Sequence, residues 1–401
     1  MYLNNSTKIE SLQGEEGDVI IIKYTGDFKM LDKHQIKQFY EQNIYGTWRS
    51  GEKVSYSIEN VPAGTPITTN IPWVKFGEEY TAPARKRLCI KVEHEGRVGE
   101  FDVSVYLPEQ PAECRPYIVS FHPIEPIGVA LKKGFGLIVF TDFCLNVAAD
   151  NNQRQGLFYE LYPYGNEPQS QTGVLMAWAW GASKVLDALY NGAADELGLN
   201  AENSIITGVS RWGKAAAVCG AFEPRFKMTA PSCSGAGGLA LFDYKSEGQT
   251  FDFSAKGGAA SYKYDKNEPL GALQSKDEQG WFNDKFLEYK TEAEIPLNQE
   301  NLITLCADKN RFYFMIASCI GEDWVNGPAM WEAIKRAAPV YKELGLQNHL
   351  AANIHLQGHA IIPEDMEKLT EYFLLMEQGA ALTPELKELT DFSRVEFVVI
   401  V

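Results

Sequence analysis

Short apolar runs without alternation recur along the chain: YIVSFH (117–122), GLIVF (136–140), SIITG (204–208), FKMTAP (226–231), RFYFMIAS (311–318) and ANIHL (352–356). Runs of that kind fit strands buried on both faces of a parallel sheet. Helical patterns lie between them. Val174, Leu175, Trp178, Ala182, Val185, Leu186 and Leu189 share one helix face, and Met330–Leu344 and Pro363–Met376 predict two more helices, the last with proline in its first turn. Upstream, RLCIKVEHE and GEFDVSVYLP alternate across a charged turn at Gly96–Gly99 and predict a hairpin. An antiparallel start followed by strand–helix alternation predicts an α/β fold with a mostly parallel central sheet and helices on both faces. Before it, Asp18–Tyr24 reads as a strand and Leu31–Tyr45 as a helix with Ile36, Phe39, Tyr40 and Ile44 on one face. The stretch Val61–Pro83, rich in Pro, Gly and Thr, marks a boundary: residues 1–80 are expected to form an N-terminal accessory region packed on a main domain over 81–401. The polar, Gly-rich segment Asp243–Ser275 reads as an insertion over the sheet's edge.

Composition narrows the partners. The 401 residues hold 37 Lys and Arg against 53 Asp and Glu, a net charge of −16, with 45% hydrophobic residues. That is a folded globular chain, and its acidity excludes nucleic acid as the partner. Any site that recognises an acid must supply positive charge locally. No apolar run of about 18 residues exists, so neither a transmembrane helix nor a membrane partner is expected. The polar stretch Met1–Asp18 lacks the apolar region of a signal peptide. The seven cysteines are scattered and never form CxxC, which fits reduced, buried thiols. A cytoplasmic location is the expectation for the sequence as it stands, and a secreted one if a signal was trimmed. No HExxH or similar ligand spacing appears, so neither metal nor cofactor is expected.

The chemistry concentrates in SIITGVSRWGKAAAVCGAF. A buried strand ends near Gly208, Ser210 follows, and an Ala-rich helix begins at once, which is the context of a nucleophile elbow. The first N–H groups of that helix can stabilise an oxyanion. The usual pattern is G-x-S-x-G; here Trp212 stands at the second glycine position and Gly213 comes one later. On spacing alone an ordinary helix-capping serine is the alternative. Where the order is Ser, acid, His, the base is expected on a loop after the last strand, and His359 lies there. His355 falls inside the strand as a packed residue, and His349 in a solvated loop. His122 ends an earlier strand, where its backbone suits an oxyanion loop better than its ring. The acid is expected after the penultimate strand, in Gly321-Glu322-Asp323-Trp324, where a carboxylate can fix the imidazole's tautomer.

These motifs resemble those of the glucuronoyl esterases, carbohydrate esterase family 15, which are α/β-hydrolases. The family's elbow G-[CV]-S-R-x-G-K is matched by Gly208-Val209-Ser210-Arg211-Trp212-Gly213-Lys214, displaced glycine included. The likeness continues through WAWGASKVLDAL (178–189), EPRF (223–226), SGAGG (234–238), EPL (268–270), WFNDKF (281–286), EDW (322–324) and AAPVYKELG (337–345), with a weaker echo at IYG (44–46). The resemblance implies Ser210 as nucleophile, His359 as base, Arg211 as support for the oxyanion through its side chain, and Lys214, Trp324 and Glu278 as contacts to the uronic acid. Two departures stand out. Many members carry the triad acid after the strand that follows the elbow, where this chain has Cys233; other members carry it after the next-to-last strand, so the role is expected of Asp323, with Glu322 second. A glutamine common before WF is replaced by Leu270.

The reading is a serine esterase acting on esters of glucuronic acid or its 4-O-methyl ether, as in xylan–lignin or glucuronoxylan-derived esters. Its partner would be a small-molecule or oligosaccharide glucuronate ester. Two alternatives stay open: an acetyl or feruloyl esterase on the same scaffold, and an inactive carbohydrate-binding relative, which Cys233 alone favours.

Overall fold

The computed structural model describes residues 19–22, 29–67, 76–110, 114–123 and 126–400. Its frame is a nine-stranded sheet of β1 (Lys53–Val61), β2 (Arg85–His94), β3 (Arg97–Tyr106), β4 (Arg115–Ser120), β5 (Gly136–Val139), β6 (Leu199–Val209), β7 (Met228–Ser232), β8 (Phe312–Ser318) and β9 (Leu350–His355). In space the order is β9-β8-β7-β6-β4-β5-β3-β2-β1. The pairs β1–β2, β2–β3 and β3–β5 are antiparallel, and all others are parallel. This is the expected α/β-hydrolase arrangement, with a mostly parallel sheet.

Period-two burial on both faces explains why the inner strands carry no alternation. Along β8, Tyr313, Met315 and Ala317 enter the core on one face, while Phe312, Phe314 and Ile316 enter the core on the other. The first core is closed by α1 (Lys33–Tyr40), α2 (Val174–Ala188), α3 (Arg211–Phe222) and α4 (Gly327–Glu343). The second is closed largely by α5 (Pro363–Glu377) through Met366, Leu369 and Phe373. Each such large apolar side chain, fully buried, contributes about 1.5–3 kcal/mol.

Four local expectations are refined. The hairpin turns at Glu95-Gly96, both at positive φ (47° and 78°), because a turn of that hand matches the twist of the strands. The helix read over Leu31–Tyr45 begins only after Asp32, which forms a capping box with Gln35, and it widens beyond Tyr40 into a looser turn through Tyr45. The strand read over Asp18–Tyr24 spans Val19–Ile22, the rest of that stretch lying outside the described residues, and it pairs with Lys29–Asp32. The Asp243–Ser275 segment carries two short strands, Thr250–Asp252 and Tyr262–Lys263, that join Val398–Ile400 in a small separate sheet.

β1 was not among the strands expected, although Val54, Tyr56 and Ile58 alternate with polar neighbours along it and pack against the first core. It lies before residue 80, so the boundary drawn near there does not part it from the core sheet. Just ahead of β1, Glu52 is completely buried and ties this region to α2. Its carboxylate accepts hydrogen bonds from Trp180 Nε1 (2.8 Å), the Tyr162 hydroxyl and Lys184 Nζ (2.6 Å). Lys184 also meets Asp187 at 2.6 Å, and Arg225 joins Asp187 to Glu223. Two of the family motifs, WAWGASKVLDAL and EPRF, thus meet in one ion network. Burial alone would raise the Glu52 pKa; the Lys184 charge and the three hydrogen bonds bring it below the usual carboxylate value. Its stabilising contribution is therefore present above the ordinary carboxylate pKa and is lost as pH falls through the lower folded value. Glu52→Ala leaves Lys184 with half its partners, and is expected to lower the unfolding free energy at neutral pH by about 3 kcal/mol in urea titrations; a loss below about 1 kcal/mol would show that the network contributes little.

Candidate active site

β6 ends at Val209 and α3 starts at Arg211, so Ser210 alone turns the chain from strand to helix, at φ 64° and ψ −129°. That conformation costs a non-glycine residue about 1–3 kcal/mol, held by its surroundings. The Ser210 hydroxyl caps no helical N–H, which sets aside the capping alternative. Both glycines of the motif are required by close backbone approach. A Cβ on Gly208 would lie 2.5 Å from the Trp212 carbonyl oxygen, and one on Gly213 would lie 2.3 Å from that of Ser232. The glycine is displaced because the helix crosses β7 there. His122 steadies the turn through its ring and not its backbone: Nε2 accepts a hydrogen bond from Val209 N–H at 2.7 Å. Its own N–H is directed at Ser120 Oγ (3.4 Å), and His122 does not line the cleft, so the expected backbone contribution to an oxyanion loop is corrected.

Ser210 borders a cleft of about 270 Å³ together with His359. His359 Nδ1 lies 2.5 Å from Glu322 Oε2, which directs Nε2 away from the carboxylate. The acid at the imidazole is thus Glu322, and the preference for Asp323 is corrected. Asp323 is held elsewhere: its carboxylate accepts hydrogen bonds from the Tyr262 hydroxyl (2.7 Å) and Asp265 N–H (2.6 Å), both in the Asp243–Ser275 segment. Neighbouring residues in this turn point to different partners, and only the fold of a distant segment decides which. His355 is packed, as expected, and bridges the base of the loop that carries His359. Its Nδ1 accepts from Gln357 N–H (3.2 Å), leaving Nε2 to donate to the Ala360 carbonyl (3.1 Å). His349 is half-buried, with Nδ1 2.9 Å from the Arg311 carbonyl, and is not the solvated loop residue expected. Cys233 is fully buried, and burial pushes its thiol up to about 12, so it stays neutral.

The cations of the cleft are all matched by acids that sequence reading did not single out. Arg211 meets Asp150 at 2.7 Å, and the other Asp150 oxygen accepts from Trp281 Nε1 at 2.7 Å. The Arg211 guanidinium lies 5.1 Å from the centre of the Trp281 ring, so one carboxylate fixes both. Lys214 is buried and donates to the carbonyls of Ser234 (2.8 Å) and Ala236 (2.7 Å) and to Glu268 Oε2 (2.7 Å). The SGAGG loop wraps this ammonium: a Cβ on Gly235 would lie 2.5 Å from Glu268 Oε2 and 3.0 Å from Lys214 Nζ. The local positive charge that an acid-recognising site would need is thus matched at both residues, Arg211 and Lys214, by a carboxylate. Glu278 also lines it, with Oε2 buried and unpartnered. Burial, and then the neighbouring Glu268, push its carboxyl up to about 7 against the pull of Lys214 and Arg211. Trp324 is no core residue; it stands at the cleft, 38% exposed, with Lys266 Nζ 5.2 Å from its ring centre. Leu270 lies two residues beyond Glu268 and does not line the cleft. Among the described residues no cluster of His, Cys, Asp and Glu is arranged to hold a metal ion.

Comparison with known proteins places this geometry. Residues 90–345 match the family model described as glucuronyl esterase, fungi. A multidomain esterase of Ruminococcus flavefaciens is 46% identical over 345 residues, covering 84% of this chain and 42% of the relative. A 4-O-methyl-glucuronoyl methylesterase of Hypocrea jecorina is 28% identical over 298 residues, covering 72% of this chain and 57% of that one. The chain spans about half the length of these two relatives. Among solved structures, a carbohydrate esterase family 15 glucuronoyl esterase from Caldicellulosiruptor kristjansonii superposes with a TM-score of 0.72 at 31% identity, over 87% of this chain and 85% of the other. With more than half its length matched by the family model and 87% of it superposed on a solved member at 31% identity, this chain belongs to the glucuronoyl esterase family.

Proposed function

We propose that the chain is a serine esterase that hydrolyses esters of glucuronic acid and its 4-O-methyl ether, with Ser210 as nucleophile, His359 as general base and Glu322 as the triad acid. The observation that carries this reading is the 2.5 Å contact between His359 Nδ1 and Glu322, bordering the same cleft as a serine held on a strained elbow. Glu322 fixes the tautomer that leaves His359 Nε2 free to take the Ser210 proton as Oγ attacks the ester carbonyl. The oxyanion of the tetrahedral intermediate sits at the start of α3, near the Arg211 guanidinium, where each good donor is typically worth about 3–4 kcal/mol. The intermediate collapses as His359 returns the proton to the departing alcohol, leaving a glucuronoyl ester on Ser210. A water then gives its proton to His359 and attacks that ester, and His359 returns the proton to Ser210 Oγ as the acyl C–O bond breaks, releasing the uronic acid.

The charge of the cleft fits a neutral ester better than its product. Arg211 and Lys214 are each paired with an acid, which leaves no unmatched Lys or Arg among the residues lining the cleft to hold the carboxylate formed on hydrolysis. The relatives named as methylesterases of 4-O-methyl-glucuronate support the uronate over the acetyl or feruloyl reading.

With benzyl glucuronate as substrate, wild-type protein is expected to turn over, and Ser210→Ala and Glu322→Gln to lower kcat/KM by on the order of 10³–10⁴-fold. Cys233→Ala and Asp323→Asn are expected to retain turnover. Cleavage of sugar acetates with no action on the uronate ester would overturn the substrate and leave the nucleophile in place. The raised Glu278 carboxyl gives a second expectation. It is protonated below about 7 and becomes a charged acceptor above it, and a charged acceptor binds a sugar hydroxyl more strongly. KM for benzyl glucuronate is expected to fall as pH rises through this point, and Glu278→Gln to flatten the profile; an unchanged slope in that variant would assign the titration to another group.

A further inference from the structure

A second cleft, of about 460 Å³, opens at the far end of α3. Ser210 precedes the first residue of that helix, whereas this cleft meets its last, Phe222, and the turn at 223–225 beyond it. Twelve residues of helix, about 18 Å, lie between the two. The other walls come from residues 48–54 ahead of β1 and from the end of α2. Its acids are fully used: every carboxylate oxygen of Glu52, Asp187 and Glu223 already meets a donor. Its donors are not. Lys184 Nζ has three protons and two acceptors, Glu52 and Asp187, and its side chain is only 2% exposed. The Trp180 ring centre, 5.7 Å from Nζ, is too distant to take the third as a hydrogen bond. Of the five N–H bonds of Arg225, one on Nη1 has no acceptor among the described residues, the others being held by Glu223, Ser183 and Asp187. The indole N–H of Trp48 likewise meets no described acceptor.

Aromatic rings stand beside these donors. The Trp48 ring lies 6.1 Å from that of Phe222, and Tyr190, 44% exposed, has the Arg225 guanidinium 5.6 Å from its ring centre. With three acids against two bases, the lining has no surplus positive charge to hold an anion. Fixed N–H donors beside aromatic walls suit an uncharged ligand that carries oxygen acceptors on its edge and C–H groups on its faces. We infer that this cleft is a second carbohydrate site, distinct from the catalytic one, which binds a neutral pyranose unit of a polysaccharide main chain. Lys184 is the anchor of the site: the two carboxylates fix its ammonium, so its remaining donor is in place before the sugar arrives. Binding there ties the protein to the polymer and raises the local concentration of any ester borne on the same chain.

The test is affinity electrophoresis of the full chain in native gels that contain neutral arabinoxylan, hydroxyethylcellulose, polygalacturonate or no polymer. Wild type is expected to be slowed by a neutral polymer and not by polygalacturonate; which of the two neutral polymers slows it identifies the main chain. Tyr190→Ala removes an exposed wall, and Trp48→Phe keeps a ring against Phe222 while deleting the indole donor. Each is expected to raise the apparent Kd about 3–10-fold, as for a lost aromatic contact or hydrogen bond. Trp324→Ala, which alters the catalytic cleft, and Ser210→Ala, which removes the nucleophile, are expected to be slowed as much as wild type. No slowing by either neutral polymer, equal slowing by polygalacturonate, or wild-type slowing of both Tyr190→Ala and Trp48→Phe would overturn the inference. Slowing lost in Trp324→Ala would also overturn it, by assigning the polymer to the catalytic cleft. The readout is binding without turnover, so failure of the esterase reading would leave this result unchanged.

Discussion

The site depends on one strained residue. Ser210 is held with its backbone in a region that side chains avoid, and the rest of the elbow exists to keep it there. β6 and α3 meet so closely that Gly208 and Gly213 admit no Cβ, and the His122 ring holds the Val209 N–H from the neighbouring strand β4. Strain of this kind persists only where the surroundings over-determine it. Two well-packed cores on either side of a doubly covered sheet supply that rigidity. They fix the start of α3, whose dipole is positive at that end, beside the Ser210 side chain.

Electrostatics then divides the work. Arg211 is matched by Asp150 and Lys214 by Glu268, and Glu322 meets the imidazole of His359. Such pairing orients side chains more than it adds net charge. Cys233, after β7, is a neutral thiol, and the carboxylate that meets the imidazole stands on the loop after β8.

Much of this was legible in the sequence. The unbroken apolar runs correspond to the inner strands because both faces of the sheet are covered. The elbow could be read because a tight strand-to-helix turn restricts which residues fit, and His359 because it follows the last strand. What escaped is what depends on distant parts of the chain meeting. Glu322 and Asp323 differ by one position, and the choice between them is made by Tyr262 and Asp265, about sixty residues upstream. Asp150 and Glu268 lie in segments without periodic pattern and become visible only when Arg211, Trp281 and Lys214 are seen beside them. β1 carries an alternation of Val54, Tyr56 and Ile58 that was passed over, and Glu52, just before it, has its side chain completely buried.

On the proposed mechanism, Ser210 is activated through His359 by Glu322. Its most direct test is the rate at which a fluorophosphonate attaches to the protein, with the adduct located by peptide mass mapping. The account predicts a single adduct on Ser210, forming at similar rates in wild type and Asp323→Asn and far more slowly in Glu322→Gln. An adduct on another residue, or a Glu322→Gln protein labelled as fast as wild type, would contradict it.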